Sequence, residues 1–130
     1  MQIVVGIPAR LGSTRFPGKP LCDILGTSMI EHCFKRASLS KLATQTFVAA
    51  CDDEIRLAVE SFDGDVLMTD KNITRPGLRV AVAAEQLSLS DDDIVVVVQG
   101  DEPLVHPEMI DLAVKPLLEE QDVFVSNLCA

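Results

Sequence analysis

Short apolar runs rich in β-branched residues alternate with segments of helical periodicity along this chain. The strand-like runs cover residues 3–5, 46–51, 66–69, 94–98 and 123–126. Apolar residues at helical spacing predict helices from Ser28, from Asp52, around Val80 and from Pro107 to about Glu120. This order predicts one domain over residues 1–130, with a three-layer α/β/α architecture, a mostly parallel sheet and right-handed crossovers.

The run Ile94–Val98 is the most strand-like in the chain. Its unbroken β-branched character predicts a strand that is buried on both faces, as at the centre of a parallel sheet. The last strand-like run, 123–126, lies only a few residues before Ala130. Because a core strand is seldom so close to the end of a complete domain, we expect the chain to be a fragment of a longer one.

Polar residues mark where the predicted helices begin. Ser28 and Glu31 have the spacing of a capping box. The pair Asp52–Asp53 is predicted to cap the next helix. The segment Asp70–Gly77 is predicted to be a polar loop that leads into the third helix.

The segment 6–20 places three glycines, three prolines and three cations directly after the first strand. Backbone N–H groups in a glycine-containing loop, together with Arg10, Arg15 and Lys19, suit an anion, and a loop past the carboxyl end of a strand suits a polyphosphate. It is not a P-loop, because Pro20 follows Lys19 where that motif needs Ser or Thr, and no Gly-x-Gly-x-x-Gly fingerprint occurs. The alternative is a surface loop whose cations are merely solvated.

A second polar segment, Gln99–Pro103, directly follows the strand-like run 94–98. Ligands of open α/β sheets bind beyond the carboxyl ends of the strands, so this turn and the glycine-containing loop are predicted to share one edge of the sheet. Asp101 would then offer a carboxylate to Mg²⁺, which takes carboxylate and phosphate oxygens. The alternative is a solvated acidic turn in which Gly100 serves only the backbone geometry.

Residues 7–21 and 98–104 carry a resemblance to a known family. The first segment resembles the signature loop of the sugar-acid cytidylyltransferases, and most of all that of the CMP-Kdo synthetases (Kdo is 3-deoxy-manno-octulosonate). The second segment is similar to the metal-binding turn of the same enzymes. The resemblance spans nearly the whole chain but only the amino-terminal half of the family's domain.

What the resemblance implies is a nucleotide-diphospho-sugar-transferase-like, Rossmann-like domain that binds nucleotide. It implies a reaction in which CTP and a Kdo-like sugar acid give the CMP-sugar and pyrophosphate, for lipopolysaccharide or surface polysaccharide synthesis. It also implies that a second metal-binding Asp, most sugar-acid contacts and the dimer interface lie in the carboxyl-terminal half of the family's domain.

The same resemblance implies roles for individual residues. Ala9 and Arg10 would lie against the nucleotide, and Gln99 near the nucleotide or the sugar acid. Arg10, Lys19 and Asp101 would be the catalytic set, with Asp101 as the Mg²⁺ ligand. The residues that would face the phosphates are Arg10, Ser13, Arg15 and Lys19.

One segment departs from the family pattern. Where the family carries Ser-Gly-Thr-Asp/Glu-Arg, this chain has Arg75–Arg79, and only Arg79 matches. Because the segment helps to hold the base in the family, the base stays open, and a variable loop is the favoured interpretation. Two further functions stay open: a nucleotidyltransferase for an acylneuraminate or another sugar, and a nucleotide-binding fragment without catalytic competence.

Composition and spacing exclude several other classes. The net charge of −9 argues against a nucleic-acid or membrane-surface binder. The four cysteines lack C-x-x-C spacing and the two histidines fall in no metal-ligand pattern, so buried or half-buried free thiols in a reducing cytoplasm are expected. The apolar start is too short for a signal peptide, and the run 94–98 is too short to span a bilayer. We therefore expect a cytoplasmic enzyme.

Overall fold

The computed structural model describes residues 1–12 and 17–129. Within them, the strands are β1 (Ile3–Pro8), β2 (Asp23–Ile24), β3 (Thr27–Ser28), β4 (Gln45–Ala50), β5 (Asp65–Met68) and β6 (Ile94–Val97). The α-helices are α1 (Met29–Ala37), α2 (Asp53–Ser61), α3 (Pro76–Ala84) and α4 (Pro107–Glu119). Short 3-10 helices occupy Lys19–Leu21 and Glu85–Leu87. The predicted alternation of strands and helices is confirmed.

Four of the described strands form a parallel sheet in the order β5-β4-β1-β6, and β2 and β3 form a separate small hairpin. Strand β1 is central, and all six of its residues are buried. Because β4 and β6 pair with opposite sides of β1, the order of strands reverses there. Such a switch point places a crevice at the carboxyl ends of the strands.

Helices cover both faces of this sheet, which confirms the predicted three-layer architecture. Alternate residues of β1 point to opposite faces. Ile3, Val5 and Ile7 belong to the core under α1, α2 and α4, whereas Val4 belongs to the core under α3. The two cores hold β1 rigidly between the layers, so the segment that leaves β1 starts from a well-defined position.

Gly6 lies where α3 crosses β1, in the core under α3. A Cβ atom at this position would lie 2.8 Å from a ring carbon of Phe47 and closer still to the side chain of Val80, both of which are fully buried. Only a residue without a side chain lets α3 pack this closely on the central strand.

Replacing Gly6 by Ala is expected to lower the free energy of unfolding by about 1–3 kcal/mol, because it overpacks a closed core. Gly77→Ala is the matched control, since a Cβ there meets no atom within 4 Å and Ala is the better helix former. Urea unfolding of both variants measures the difference. Equal stability of the two would contradict the packing argument.

Strand β6 forms as predicted, but it lies at the edge of the sheet rather than at its centre. It pairs with β1 on one side only, within the described residues. Val95 and Val97 are 40% and 41% exposed, so the prediction of burial on both faces is wrong. The β-branched run was compatible with either position, because periodicity does not report how many neighbours a strand has.

Residues 123–126 are not a strand, which corrects a second prediction. Phe124 and Val125 are 87% and 76% exposed. A strand needs a neighbour to satisfy its backbone N–H and C=O groups, and no strand of the described ranges pairs with this segment.

The helix starts follow the predicted residues only in part. Ser28 caps α1 by accepting a hydrogen bond from the Glu31 backbone N–H at 3.4 Å. Asp52 is the N-cap residue of α2, but its side chain makes no capping hydrogen bond. Helix α3 begins at Pro76, so the loop predicted up to Gly77 is too long. Proline suits the first turn of a helix because its φ is already helical.

Two expectations about the chain's class can be compared with the structure. Cys22, Cys33 and Cys51 are buried or half-buried free thiols, as predicted, whereas Cys129 is a free thiol that is exposed. None of the helices in residues 1–12 and 17–129 is both long enough and apolar enough to cross a membrane.

Candidate active site at the carboxyl edge of the sheet

The carboxyl ends of the four parallel strands bring distant segments of the chain together. Three backbone hydrogen bonds extend the sheet one residue past its strands: Ala9 N–H donates to Ala49 O at 3.0 Å, Val98 N–H to Gly6 O at 3.0 Å, and Thr69 N–H to Ala50 O at 2.7 Å. The segments that follow these strands therefore leave the sheet side by side. This confirms the prediction that the glycine-containing loop and the turn after β6 share one edge.

A small cleft of about 70 Å³ opens at this edge. It is lined by Pro8, Ala9, Arg10, Thr74, Pro76, Arg79 and Gln99. Three of these residues, Ala9, Arg10 and Gln99, are among the predicted site residues. The fold thus places these three residues around one cleft, although Gln99 is far from Ala9 and Arg10 in the sequence.

Lys19 and Asp101, two further predicted site residues, form an ion pair beside these segments. Lys19 Nζ lies 3.2 Å from Asp101 Oδ2, and the two side chains are 40% and 53% exposed. An ion pair this exposed contributes little to stability. Both groups therefore remain accessible to a charged ligand. The predicted residues Ser13 and Arg15 lie outside the described residues.

Arg79 is buried and organises the segment that follows β5. It is only 3% exposed, and its guanidinium donates to Thr69 Oγ1 at 2.6 Å and to the backbone oxygens of Asp70 and Ile73. A buried cation needs such partners to offset its desolvation. Arg75 is the N-cap of α3 and Pro76–Leu78 belong to its first turn, so this part of the segment is helical rather than a loop. The match of Arg79 to the family pattern was the sequence signal for this position.

Helix α1 supports the turn after β6 from beneath. The Cys33 thiol donates to Gly100 O at 3.4 Å, and Arg36 Nε donates to Val105 O at 2.8 Å. A Cβ atom on Gly100 would lie 2.6 Å from Pro8 O, so glycine permits the turn to approach β1 this closely. The turn that carries Asp101 is therefore held at both ends.

The two thiols nearest to the site are not activated nucleophiles. Burial, together with the carboxylates of Asp101 and Glu102, raises the pKa of the Cys33 thiol to about 11. Burial also raises the pKa of Cys51. Because the thiolate is the reactive form, both raised pKa values disfavour Cys33 and Cys51 as nucleophiles at neutral pH.

Asp101 is the carboxylate predicted to hold Mg²⁺, and the structure places it, exposed, beside Lys19. Within the described ranges, no three His, Cys, Asp or Glu side chains cluster in a way that would hold a metal. Mg²⁺ commonly keeps several waters and takes only one or two carboxylates together with substrate phosphates. An exposed single carboxylate beside a cationic loop thus fits Mg²⁺ that is shared with a polyphosphate.

A larger open cleft of about 280 Å³ lies at the opposite edge, where β4 and β5 begin. Thr44, Gln45 and Asp65 are among the residues that line it. It contains none of the predicted site residues, and binding crevices of parallel α/β sheets lie at the other edge. We therefore place the candidate site at the carboxyl edge.

Comparison with known proteins identifies relatives of the chain by sequence and by fold. A family model described as cytidylyltransferase matches residues 4–130. A protein from Shewanella woodyi named 8-amino-3,8-dideoxy-manno-octulosonate cytidylyltransferase is 50% identical over 111 residues. That match covers 85% of this chain and 45% of the relative, so the chain spans about half the length of the curated relatives it matches.

Solved structures show the same fold. One described as CMP:2-keto-3-deoxy-manno-octonic acid synthetase complexed with CTP matches with a TM-score of 0.89 and 32% identity, over 95% of this chain and 50% of that one. A cytidylyltransferase from Leptospira borgpetersenii matches with a TM-score of 0.80 and 28% identity, over 94% of this chain and 51% of that one. Since the family model also matches nearly every residue, the chain belongs to the cytidylyltransferase family.

Proposed function

We propose that this protein serves cytidylyl transfer from CTP to a sugar acid of the 3-deoxy-manno-octulosonate class, with release of pyrophosphate. The observation that carries the proposal is that the carboxyl edge of the sheet holds both a cleft lined by Arg10 and Gln99 and the exposed ion pair of Lys19 with Asp101. The chain has a net charge of −9 and nevertheless gathers cations at this edge. A cationic site on an acidic protein favours a small polyanion such as a nucleoside triphosphate.

The cleft itself suits the nucleoside part of CTP. Pro8 and Ala9 provide a partly apolar wall, while Arg10, Arg79 and Gln99 bring polar groups. In this arrangement Arg10 and Gln99 offer polar contacts to the nucleotide.

Lys19 and Asp101 act on the triphosphate in different ways, Lys19 directly and Asp101 through a metal ion. An incoming phosphate competes with Asp101 for the Lys19 ammonium group, which lies 3.2 Å from the carboxylate in the free protein. Asp101 is then free to act as a metal ligand. When bound, Mg²⁺ neutralises charge on the phosphates. The protein's own part is to hold the α-phosphorus in line with the sugar hydroxyl and to exclude non-productive geometries.

The sugar acid is proposed from the names of the relatives. The Shewanella woodyi relative is named for the 8-amino sugar acid, whereas the solved structure with CTP is named for the sugar acid without that group. Both share the 3-deoxy-manno-octulosonate core. Because the chain is 50% identical to the relative named for the 8-amino sugar acid, that sugar acid is an equally good candidate substrate.

Calorimetric titration of CTP, UTP and ATP in the presence of Mg²⁺ tests the nucleotide part of this proposal. CTP is expected to bind tightest, by about tenfold or more over ATP, which corresponds to about 1.4 kcal/mol. Binding that is absent, or equal for all three nucleotides, would contradict the proposed function.

Pyrophosphate release from CTP tests the transfer step. It is measured with Kdo and with its 8-amino analogue, and the faster reaction identifies the sugar acid. CTP binding without pyrophosphate release from either mixture would restrict the function of this chain to nucleotide binding.

A further inference from the structure

Asp52 connects the segment after β4 to the segment after β1. As the N-cap residue of α2, its side chain would ordinarily accept a hydrogen bond from the first turn of that helix, but it makes none. Instead, Asp52 Oδ2 accepts a hydrogen bond from the Leu11 backbone N–H at 3.0 Å. The carboxylate is therefore turned away from its own helix and toward the glycine-containing loop.

This hydrogen bond fixes the backbone on one side of Arg10. On the other side, Ala9 N–H donates to Ala49 O at 3.0 Å, so the sheet holds Ala9. Arg10 thus lies between two anchored peptides, with an exposed side chain that lines the cleft. Its direction into the cleft depends on both anchors.

Leu11 is also connected to Lys19, through a backbone hydrogen bond to the preceding residue, Gly18. Leu11 O accepts a hydrogen bond from Gly18 N–H at 3.3 Å, and Lys19 follows Gly18 directly. One residue, Leu11, is therefore held by Asp52 at its N–H and holds the return of the loop at its C=O. Both cations of the proposed phosphate site are within one residue of this junction.

Asp52 has the surroundings of a hydrogen-bond acceptor rather than of an ion-pair partner. In the described residues no Lys or Arg pairs with it, and its other side-chain contact is the Cys51 thiol, which lies 3.7 Å from Oδ2. The carboxylate is half-buried. A half-buried carboxylate that accepts a backbone N–H forms one of the stronger hydrogen bonds of a protein.

We propose that Asp52 is a positioning residue for nucleotide binding, which holds the Leu11 peptide and thereby sets the directions of Arg10 and Lys19. The proposal rests on the proposed function, because its consequence is read from CTP affinity. The anchor itself is a property of the free protein and is measured without nucleotide.

The first measurement is amide hydrogen exchange at Leu11 in the free protein. Asp52→Ala removes the acceptor and is expected to raise the exchange rate of this amide by roughly tenfold or more. Asp52→Asn keeps an acceptor oxygen without the charge and is expected to give an intermediate rate. Asp53→Ala is the matched control, since Asp53 is exposed, pairs with Arg56 at 3.4 Å and forms no hydrogen bond to the described residues of the loop. An unchanged Leu11 rate in Asp52→Ala would overturn the proposal.

The second measurement is CTP affinity in a double-mutant cycle. Asp52→Ala is expected to weaken CTP binding by roughly tenfold, with Asp52→Asn between it and wild type. Because Asp52 acts through Arg10, the double variant Asp52→Ala/Arg10→Ala is expected to lose less than the product of the two single losses. A general loss of stability would instead give a full product and would also lower the urea midpoint. Wild-type CTP affinity in Asp52→Ala would overturn the proposal.

The outcomes separate this proposal from the proposed function. Wild-type protein that binds no CTP contradicts the proposed function and this proposal together. Wild-type protein that binds CTP, with no loss in Asp52→Ala, contradicts the role of Asp52 alone. If Asp52→Ala does not fold, Asp52→Asn against Asp53→Asn decides the matter, because only the former is expected to speed exchange at Leu11 and to weaken CTP binding.

Discussion

Lys19→Ala is expected to weaken CTP binding by roughly tenfold or more, and Arg10→Ala is expected to have an effect of the same size. Each substitution removes a charge-assisted contact worth about 1.5–3 kcal/mol. In the free protein the Lys19 ion pair is exposed, so its loss is expected to leave the stability nearly unchanged. The measurement is calorimetric titration with CTP and Mg²⁺.

The chain offers a matched control for each of these variants. Lys35→Ala removes an equal charge from an exposed helical pair with Glu31. Arg56→Ala removes a cation that pairs with Asp53 and Glu60 on the surface of α2. Both controls are expected to bind CTP like wild type. If Lys19→Ala and Arg10→Ala do so as well, the loop does not bind phosphate.

Asp101→Asn is expected to abolish the Mg²⁺ dependence of CTP binding. Wild type should bind CTP more tightly with Mg²⁺, whereas the affinity of the variant should change by less than about twofold, which is below about 0.5 kcal/mol. The amide is nearly isosteric with the carboxylate but lacks the negative charge that a hard cation needs. Without Mg²⁺, the variant should bind CTP at least as tightly as wild type, because Lys19 no longer has to leave a carboxylate 3.2 Å away.

Glu102→Gln is the control for this second prediction, since Glu102 is the neighbouring exposed carboxylate of the same turn. It removes the same charge and is expected to keep the Mg²⁺ dependence. A reversal, in which Glu102→Gln loses the dependence and Asp101→Asn keeps it, would move the metal ligand to Glu102. Full Mg²⁺ dependence in both variants would exclude this turn as the metal site.

Local pattern was enough to predict the fold class and the edge of the sheet that carries the site. Parallel strands that alternate with helices must place their carboxyl ends together, so a loop after β1 and a turn after β6 had to meet. The shared cleft of Ala9, Arg10 and Gln99 agrees with that rule, whereas the ion pair of Lys19 with Asp101 is a contact that only the structure shows. The polar residues that follow strand ends can be identified from the sequence, because a strand end is a local feature of the chain.

The partner to which a polar side chain hydrogen-bonds could not be predicted from the sequence. Asp52 has the sequence context of a helix cap, and only the packing of β4 beside β1 brings Leu11 N–H within 3.0 Å as a competing donor. Arg79 is likewise buried, and it holds the segment after β5 through hydrogen bonds that no residue spacing in the sequence predicts. In both cases a polar group had several possible partners, and the tertiary structure selected one.

The sequence by itself determined the types of most elements, the parallel α/β class and the set of polar residues at one edge of the sheet, because periodicity and strand ends are properties of short segments. Only the tertiary structure decided that β1 is central, that β6 is an edge strand and that 123–126 forms no strand. The physical reason is that a β-branched run indicates only that the segment can be extended. The backbone hydrogen bonds that make a strand central, peripheral or unpaired come from neighbours elsewhere in the chain.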